Sequence, residues 1–280
     1  MNKFITVFSL VVLFSALVFA SKVTIVEPIK TTVEGTEGVI DLGFAGPGQT
    51  LAIMLSRDSG EKAKQNLKGE SNALWDKASV VESTLPSGWR TKDSLNYEDP
   101  LTIFVTIGSD AKNDVKYGFS IKLSDEYEGV APQVVNFRVR VTKDVLDVSL
   151  QNPTVTTGVS QPAVYVFNVK NKGSSTDTFQ ISASDLPYDW KVTKTVLIPH
   201  NSEKTVYYEV IGNVQKDLNF NFKTTSISSS EIAVVSPARL ITASSLVQEY
   251  KSTVLGVPLF PSAEQNIYYL LGFIANVLNL

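Results

Sequence analysis

The chain has 280 residues, no cysteine, 43% hydrophobic and 19% charged content, and a formal net charge of −3. At roughly 100–150 residues per domain this length holds about two domains, and the composition is that of a folded chain. The missing cysteines exclude disulfides, thiolate metal sites and a cysteine nucleophile, and an acidic balance without a Lys/Arg block argues against a nucleic-acid partner.

Residues 1–20 have the layout of an export signal. Lys3 is the positive start, Phe4 to Phe19 is an apolar run broken only by Thr6, Ser9 and Ser15, and Val18-Phe19-Ala20 supplies the residues a signal peptidase reads. Cleavage is expected after Ala20. An uncleaved membrane anchor is the alternative, since the run is near the lower limit for a span. Both place the rest of the chain outside the cytoplasm. An exported chain of this size without cysteine is more usual in prokaryotes than at animal cell surfaces.

Residues 21–144 read as one β-sandwich. Alternating stretches at Val23–Glu27, Gly38–Phe44, Thr50–Ser56, Lys77–Thr84, Leu101–Ile107, Tyr117–Leu123 and Val135–Val141 predict about seven short strands. Ala45-Gly46-Pro47-Gly48 is a strong turn signal. Between them, residues 61–76 form an inserted, polar loop of weak helical propensity that carries Lys64 and Lys68 and ends near Trp75. Loops on a rigid frame often carry binding, so Trp75, Lys64 and Lys68 are candidate ligand-loop residues. The alternative is a solvated loop whose Trp75 packs back on the domain.

Residues 145–243 read as a second sandwich, with strands at Ala163–Lys170, Thr176–Ser182, Val192–Ile198, Thr205–Ile211, Leu218–Thr224 and Ile232–Ile241. The two halves repeat. Leu85-Pro86-Ser87-Gly88-Trp89 matches Leu186-Pro187-Tyr188-Asp189-Trp190, Ile107-Gly108 matches Ile211-Gly212, and Tyr117/Phe119 matches Phe220/Phe222. A shared offset of this kind marks two copies of one domain. Trp89 and Trp190 read as rings packed between sheets, with a sugar-stacking platform as the alternative.

The second copy resembles the alpha-galactosidase-associated β-sandwich domain, an Ig-like family that recurs in archaeal surface and membrane proteins. The matching residues are Val169, Asn171, Gly173, Asp177, Phe179, Leu186, Pro187, Trp190, Pro199 and Ser202; His200 and Asp189 depart from it. The match is clearest over residues 146–243 and looser over 22–144. The resemblance implies a structural or binding module without catalysis of its own, at an archaeal surface.

Residues 244–262 read as a linker. From Ser262, which can cap a helix, residues 263–280 repeat apolar side chains at helical spacing. Ile267, Leu270, Leu271, Ile274 and Val277 form the face expected to contact a membrane or a partner, and Glu264 is the only charged side chain after Lys251.

No reacting centre is legible. His200 is the only histidine, in a Pro-His-Asn-Ser turn, which makes a catalytic triad or a zinc site a poor reading. Asp125-Glu126-Tyr127-Glu128 is either a calcium-binding loop or a charged hairpin turn. The expected protein is therefore all-β: two tandem Ig-like sandwiches plus a C-terminal hydrophobic α-helix, with no cofactor and no enzyme activity. It would sit at a cell surface as a structural or adhesion protein, membrane-held through the helix, with other surface proteins or glycans as partners. A carbohydrate-binding accessory module and a subunit of an envelope or pilus-like assembly are the alternatives.

Overall fold

The computed structural model describes residues 21–35, 38–63 and 72–243. The expected signal peptide, Lys64, Lys68 and the C-terminal positions Ile267, Leu270, Leu271, Ile274 and Val277 lie outside the described residues.

The described chain is all-β. The first half holds β1 (Lys22–Glu27), β2 (Thr31–Glu34), β3 (Val39–Ala45), β4 (Thr50–Leu55), β5 (Asp58–Lys62) and β6 (Asn72–Leu74). It continues with β7 (Lys77–Val80), β8 (Arg90–Lys92), β9 (Leu101–Thr106), β10 (Val115–Ser124) and β11 (Gln133–Val141). The second half holds β12 (Leu146–Leu150), β13 (Thr154–Gly158), β14 (Pro162–Asn171) and β15 (Asp177–Ser184). Last come β16 (Thr193–Ile198), β17 (Ser202–Ile211), β18 (Lys216–Ser226) and β19 (Ala233–Ala243).

Each half is a two-sheet sandwich. In the first, the sheet β2-β1-β4-β9-β8 faces the sheet β3-β11-β10-β7, with β5-β6 as a separate hairpin. In the second, β12-β14-β17 faces β13-β19-β18-β15-β16. In each half an early strand joins the sheet that does not hold the half's first strand and runs parallel to that sheet's last strand, β3 along β11 and β13 along β19, the rest of the pairs being antiparallel. The chain thus crosses between sheets near its start in each half, an Ig-like arrangement.

Alternation explains which side chains face inward. In β11 Val135, Phe137, Val139 and Val141 are buried, while Val134 and Asn136 are exposed and Arg138 and Arg140 half-exposed. Two separate cores result, one from Val23 to Val141 and one from Val145 to Leu240. In the first, Trp89 packs against Tyr117 and Phe119 at 5.4 and 6.3 Å between ring centres. In the second, Phe222 sits edge-on to Tyr165, Phe167, Tyr208 and Phe220 at 4.9–5.0 Å. Edge-on rings of this kind add to the gain from burial alone.

Some strands differ from the sequence reading. The strand expected over Lys77–Thr84 stops at Val80 and gives way to a 3-10 turn at Glu82–Thr84. The inserted segment, read as weakly helical, is extended at both described ends, in β5 and β6. The short strands β2, β8, β12 and β13 have no counterpart in the sequence reading; β2, β8 and β13 are brief and mostly polar, whereas β12, Leu-Asp-Val-Ser-Leu, does alternate but is only five residues long.

Candidate functional site at the junction of the two sandwiches

The two sandwiches meet end to end with only Thr142, Lys143 and Asp144 between β11 and the second core. Three loops make the contact. From the first sandwich comes the β3–β4 turn, Gly46-Pro47-Gly48-Gln49. Gly48 has φ of +78°, a left-handed conformation that suits glycine. Gln49 Nε2 leaves this turn and crosses the boundary, while Gln49 Oε1 accepts the Gly46 N–H at 2.7 Å and so holds the amide in place.

From the second sandwich comes the β14–β15 loop. Asn171 folds it: Nδ2 donates to the carbonyls of Ser175, Ile198 and Pro199 at 2.8, 3.1 and 3.2 Å, and Oδ1 accepts the Gly173 N–H. The loop so shaped presents Ser174 and Ser175. Ser174 Oγ donates to the Leu42 carbonyl and its backbone N–H to the Phe44 carbonyl, while Ser175 Oγ donates to the Thr50 carbonyl. The third loop, β18–β19, brings Ser226, Ser228 and Ile232.

Asp177 is where these loops converge. Its Oδ2 accepts from Gln49 Nε2 at 2.6 Å and from Ser226 Oγ at 2.5 Å. Its Oδ1 accepts from Ser228 Oγ at 2.7 Å and from the Thr178 N–H at 2.8 Å. Asp177 is 3% exposed and Gln49 fully buried. A buried carboxylate is costly unless its lone pairs are filled, and four donors fill them here. The Lys143–Glu231 ion pair at 3.0 Å adds a link at the surface, where such pairs contribute little.

Beside the junction lies an open cleft of about 540 Å³, lined by Phe44, Asn113, Asp114, Arg140, Lys143 and Lys172, among others. Its cations are engaged: Arg140 with Asp114 at 3.1 Å, Lys172 with Asp144 at 2.6 Å, and Lys143 with Glu231.

At the far end of the first sandwich the sequence candidate Trp75 is fully buried, and its Nε1 donates to the Lys22 carbonyl. Its ring belongs to the core, so no face is free for a ligand; Trp89 and Trp190 are buried as well. The aromatics exposed at this tip are Tyr97 (45%) and Tyr127 (64%), stacked 6.4 Å apart at 21°. Tyr97 donates to Glu126 at 2.7 Å, and Arg57, paired with Asp76, lies 5.9 Å from the Tyr97 ring. The Tyr127 hydroxyl and the Glu126 carboxylate hold the Tyr97 phenol above its usual range.

The acidic stretch around Asp125 has the arrangement of a hairpin turn. The Asp125 carboxylate accepts the N–H groups of Tyr127, Glu128 and Val130. Burial alone would raise its pKa, but these N–H bonds outweigh it and bring the carboxyl below the ordinary aspartate value. His200 is half-buried in its turn, where its N–H donates to Thr176 Oγ1.

Fold and junction together define a tandem pair of Ig-like β-sandwiches coupled through a buried polar node. No family model matches the chain, and no curated protein matches it. Among solved structures the chain is similar to a chimeric titin Z1Z2 carrying a decorin peptide, at 10% identity and a TM-score of 0.35, over 82% of this chain and 100% of that one. It is similar to the Yersinia pseudotuberculosis adhesin InvE at 13% identity and a TM-score of 0.26, over 72% of this chain and 56% of that one. A β-glucosidase from Listeria innocua in complex with glucose matches at 15% identity and a TM-score of 0.26, over 36% of this chain. The match spans only 16% of the β-glucosidase chain.

Proposed function

We propose that the chain is an exported, non-catalytic structural or adhesion protein of the cell surface, held at a membrane through residues 263–280. The observation that carries this reading is the junction. Two domains that only shared a tether would not need a buried carboxylate saturated by donors from three loops, one of them from the other domain. Such a junction fixes the first sandwich relative to the second and suits a spacer that projects a surface. Asn171, Gly173 and Asp177, which carry the resemblance to the alpha-galactosidase-associated domain, take part in this joint, and a structural place for them suits a non-catalytic module of an archaeal surface.

A specific observation favours glycan or protein binding at the projected end. The exposed Tyr97–Tyr127 pair lies at the pole furthest from the junction, beside the base of the inserted loop. Tyrosine combines apolar area with a polar edge at low entropic cost, as a contact residue should.

Fractionation of cells expressing the full chain and a form ending at Ser244 tests the anchoring. Release of stable, folded protein into the medium on truncation is expected. A full-length protein found soluble without detergent would count against membrane holding.

A further inference from the structure

We propose that the pole of the second sandwich opposite the junction is a lipid-facing surface, seated on the bilayer by the tail that leaves it; this rests on the membrane-held reading above. Strand direction defines the pole. β15 and β18 run between it and the junction in opposite senses, and β19 runs from the junction side to Ala243 at the pole, where the described chain ends. The other elements there are the β13–β14 turn at Ser160, the β15–β16 loop at 185–192 and the β17–β18 turn at 212–215. Ser160 N–H bonds the Gly212 carbonyl, and Thr242 Oγ1 bonds the Val214 carbonyl, so these pieces form one face.

That face exposes apolar side chains. Tyr188 is 93% exposed, and Ile211 and Val214 are each 50% exposed. Tyr188 is not on a slack loop. It opens a 3-10 turn, Tyr188–Trp190, closed by the Trp190 N–H to the Pro187 carbonyl at 3.0 Å. The turn is tied to its neighbour by Trp190 Nε1 on Asn213 Oδ1 at 2.9 Å and Asn213 Nδ2 on Asp189 at 2.7 Å. The fold therefore holds a large amphipathic ring outward, which is the residue type that settles at a headgroup boundary.

The charges at the face balance, Lys191, Lys216 and Arg239 against Asp185, Asp189 and Asp217, so the apolar side chains carry the contact. Lys191 and Lys216 are exposed there, while Asp189 is bonded to Asn213 and Asp217 to Arg239 at 2.6 Å; Asp185 also faces this end, bonded to Ser184. The occupant follows from the chain itself. The residues after Ala243 include the apolar stretch Val254–Phe260 and then 263–280, which carries one charged side chain. Residues 244–262 put 19 positions between that pole and residues 263–280. Held that close, a contact too weak to recruit the free domain becomes effectively intramolecular.

The absence of cysteine makes the test direct. Single-cysteine forms of the full chain, Tyr188→Cys, Val214→Cys and, as control, Tyr127→Cys, carry a spin label. All three positions are exposed, so the fold tolerates them. The proteins are bound to phosphatidylcholine vesicles containing phosphatidylglycerol, and label access to oxygen and to a water-soluble nickel chelate is measured. The expected result is a several-fold loss of nickel access at 188 and 214 on vesicles, with the label at 127 unchanged. If the protein sediments with vesicles but the labels at 188 and 214 keep full nickel access, anchoring stands and the lipid-facing pole is overturned. If it does not sediment, both fall. Shielding at 188 and 214 that is already complete without vesicles means that the tail or a second copy covers the face, which also overturns the proposal.

Discussion

Gln49 and Asp177 belong to different sandwiches and lie 128 positions apart, yet their side chains meet at 2.6 Å with both residues buried. The bond joins the two cores because each partner is fixed within its own domain. Gln49 is held by the Gly46 N–H and, through its carbonyl, by the Ile107 N–H; Asp177 is held by Ser226, Ser228 and the Thr178 N–H.

Gln49→Ala should therefore uncouple the domains rather than unfold either one. The buried carboxylate loses one of its four donors, at a cost of about 1–3 kcal/mol. Differential scanning calorimetry should turn a single transition of the parent into two resolved transitions. A single unsplit transition in the variant would mean that the backbone contacts of Ser174 and Ser175 suffice to couple the halves. Asp177→Leu should be worse, since it leaves the buried Gln49 amide and two serine hydroxyls facing a hydrocarbon.

The core of the second sandwich gives a prediction of a different kind. Trp190 is 3% exposed, and Trp190→Ala should cost about 3–5 kcal/mol of that domain's stability. Gly212→Ala probes the same packing from the other side. A methyl there would sit 2.7 Å from Thr242 Cγ2 and 3.1 Å from the Trp190 ring, although the Gly212 backbone is not left-handed. The expected loss is about 1–3 kcal/mol by overpacking. Urea unfolding measures both; a loss below about 0.5 kcal/mol for Gly212→Ala would show that Trp190 can shift without cost.

Much of this fold was legible because burial leaves a period in the sequence. Val135 to Val141 alternates so regularly that its inward set could be named from the residues alone, and the Leu-Pro before Trp89 and Trp190 marked rings that prove buried. What was not legible depends on partners distant in the chain. Gln49 has no local signature; only its meeting with Asp177 makes it matter. Asp177 has a place in the resemblance, but its side-chain donors come from positions 49, 226 and 228. Trp75 is legible as the aromatic that closes an inserted loop, whereas Tyr97 and Tyr127, on separate loops 30 residues apart, become a pair only when the strands bring those loops together. Edge strands such as β2, β8 and β13 are too short and too polar to leave a pattern in the sequence.

Acid sensitivity follows from the carboxylates with lowered pKa. Asp58 is lowered by the Lys22 ammonium and the Gly60 N–H, and Asp125 by its turn N–H groups against the opposing effect of burial. A group whose folded pKa is depressed adds stability above its unfolded value, about 3.9, and loses it as pH falls through the folded value. The urea midpoint should be flat from about pH 7 to pH 5 and fall below about pH 4. Asp125→Asn should lower the midpoint at neutral pH and flatten the acid limb. An acid limb of unchanged steepness in both Asp125→Asn and Asp58→Asn would assign the effect to other carboxylates.

The two glycines of the β3–β4 turn separate local strain from interdomain contact. At Gly46 an added methyl would approach Ile232 Cδ1 to 2.3 Å, but that atom is the far end of a side chain, which gives more readily than backbone although Ile232 is buried, and the Gly46 backbone is not left-handed. At Gly48 the methyl would lie 2.6 Å from the Ser228 carbonyl oxygen, which is backbone of the other sandwich, and φ is +78°. The first clash is met by movement of one buried side chain, the second only by moving a loop or a domain. Gly48→Ala should therefore push the sandwiches apart at the junction while each keeps its own core, and Gly46→Ala should do so much less. Backbone 15N relaxation reads this directly. The parent and Gly46→Ala should each tumble with one correlation time across both domains. Gly48→Ala should give two shorter ones, with amide shifts perturbed around Gln49, Asp177 and Ser228. A single correlation time in Gly48→Ala would show that the turn refolds within the first sandwich and that the Gln49–Asp177 contact survives without the glycine.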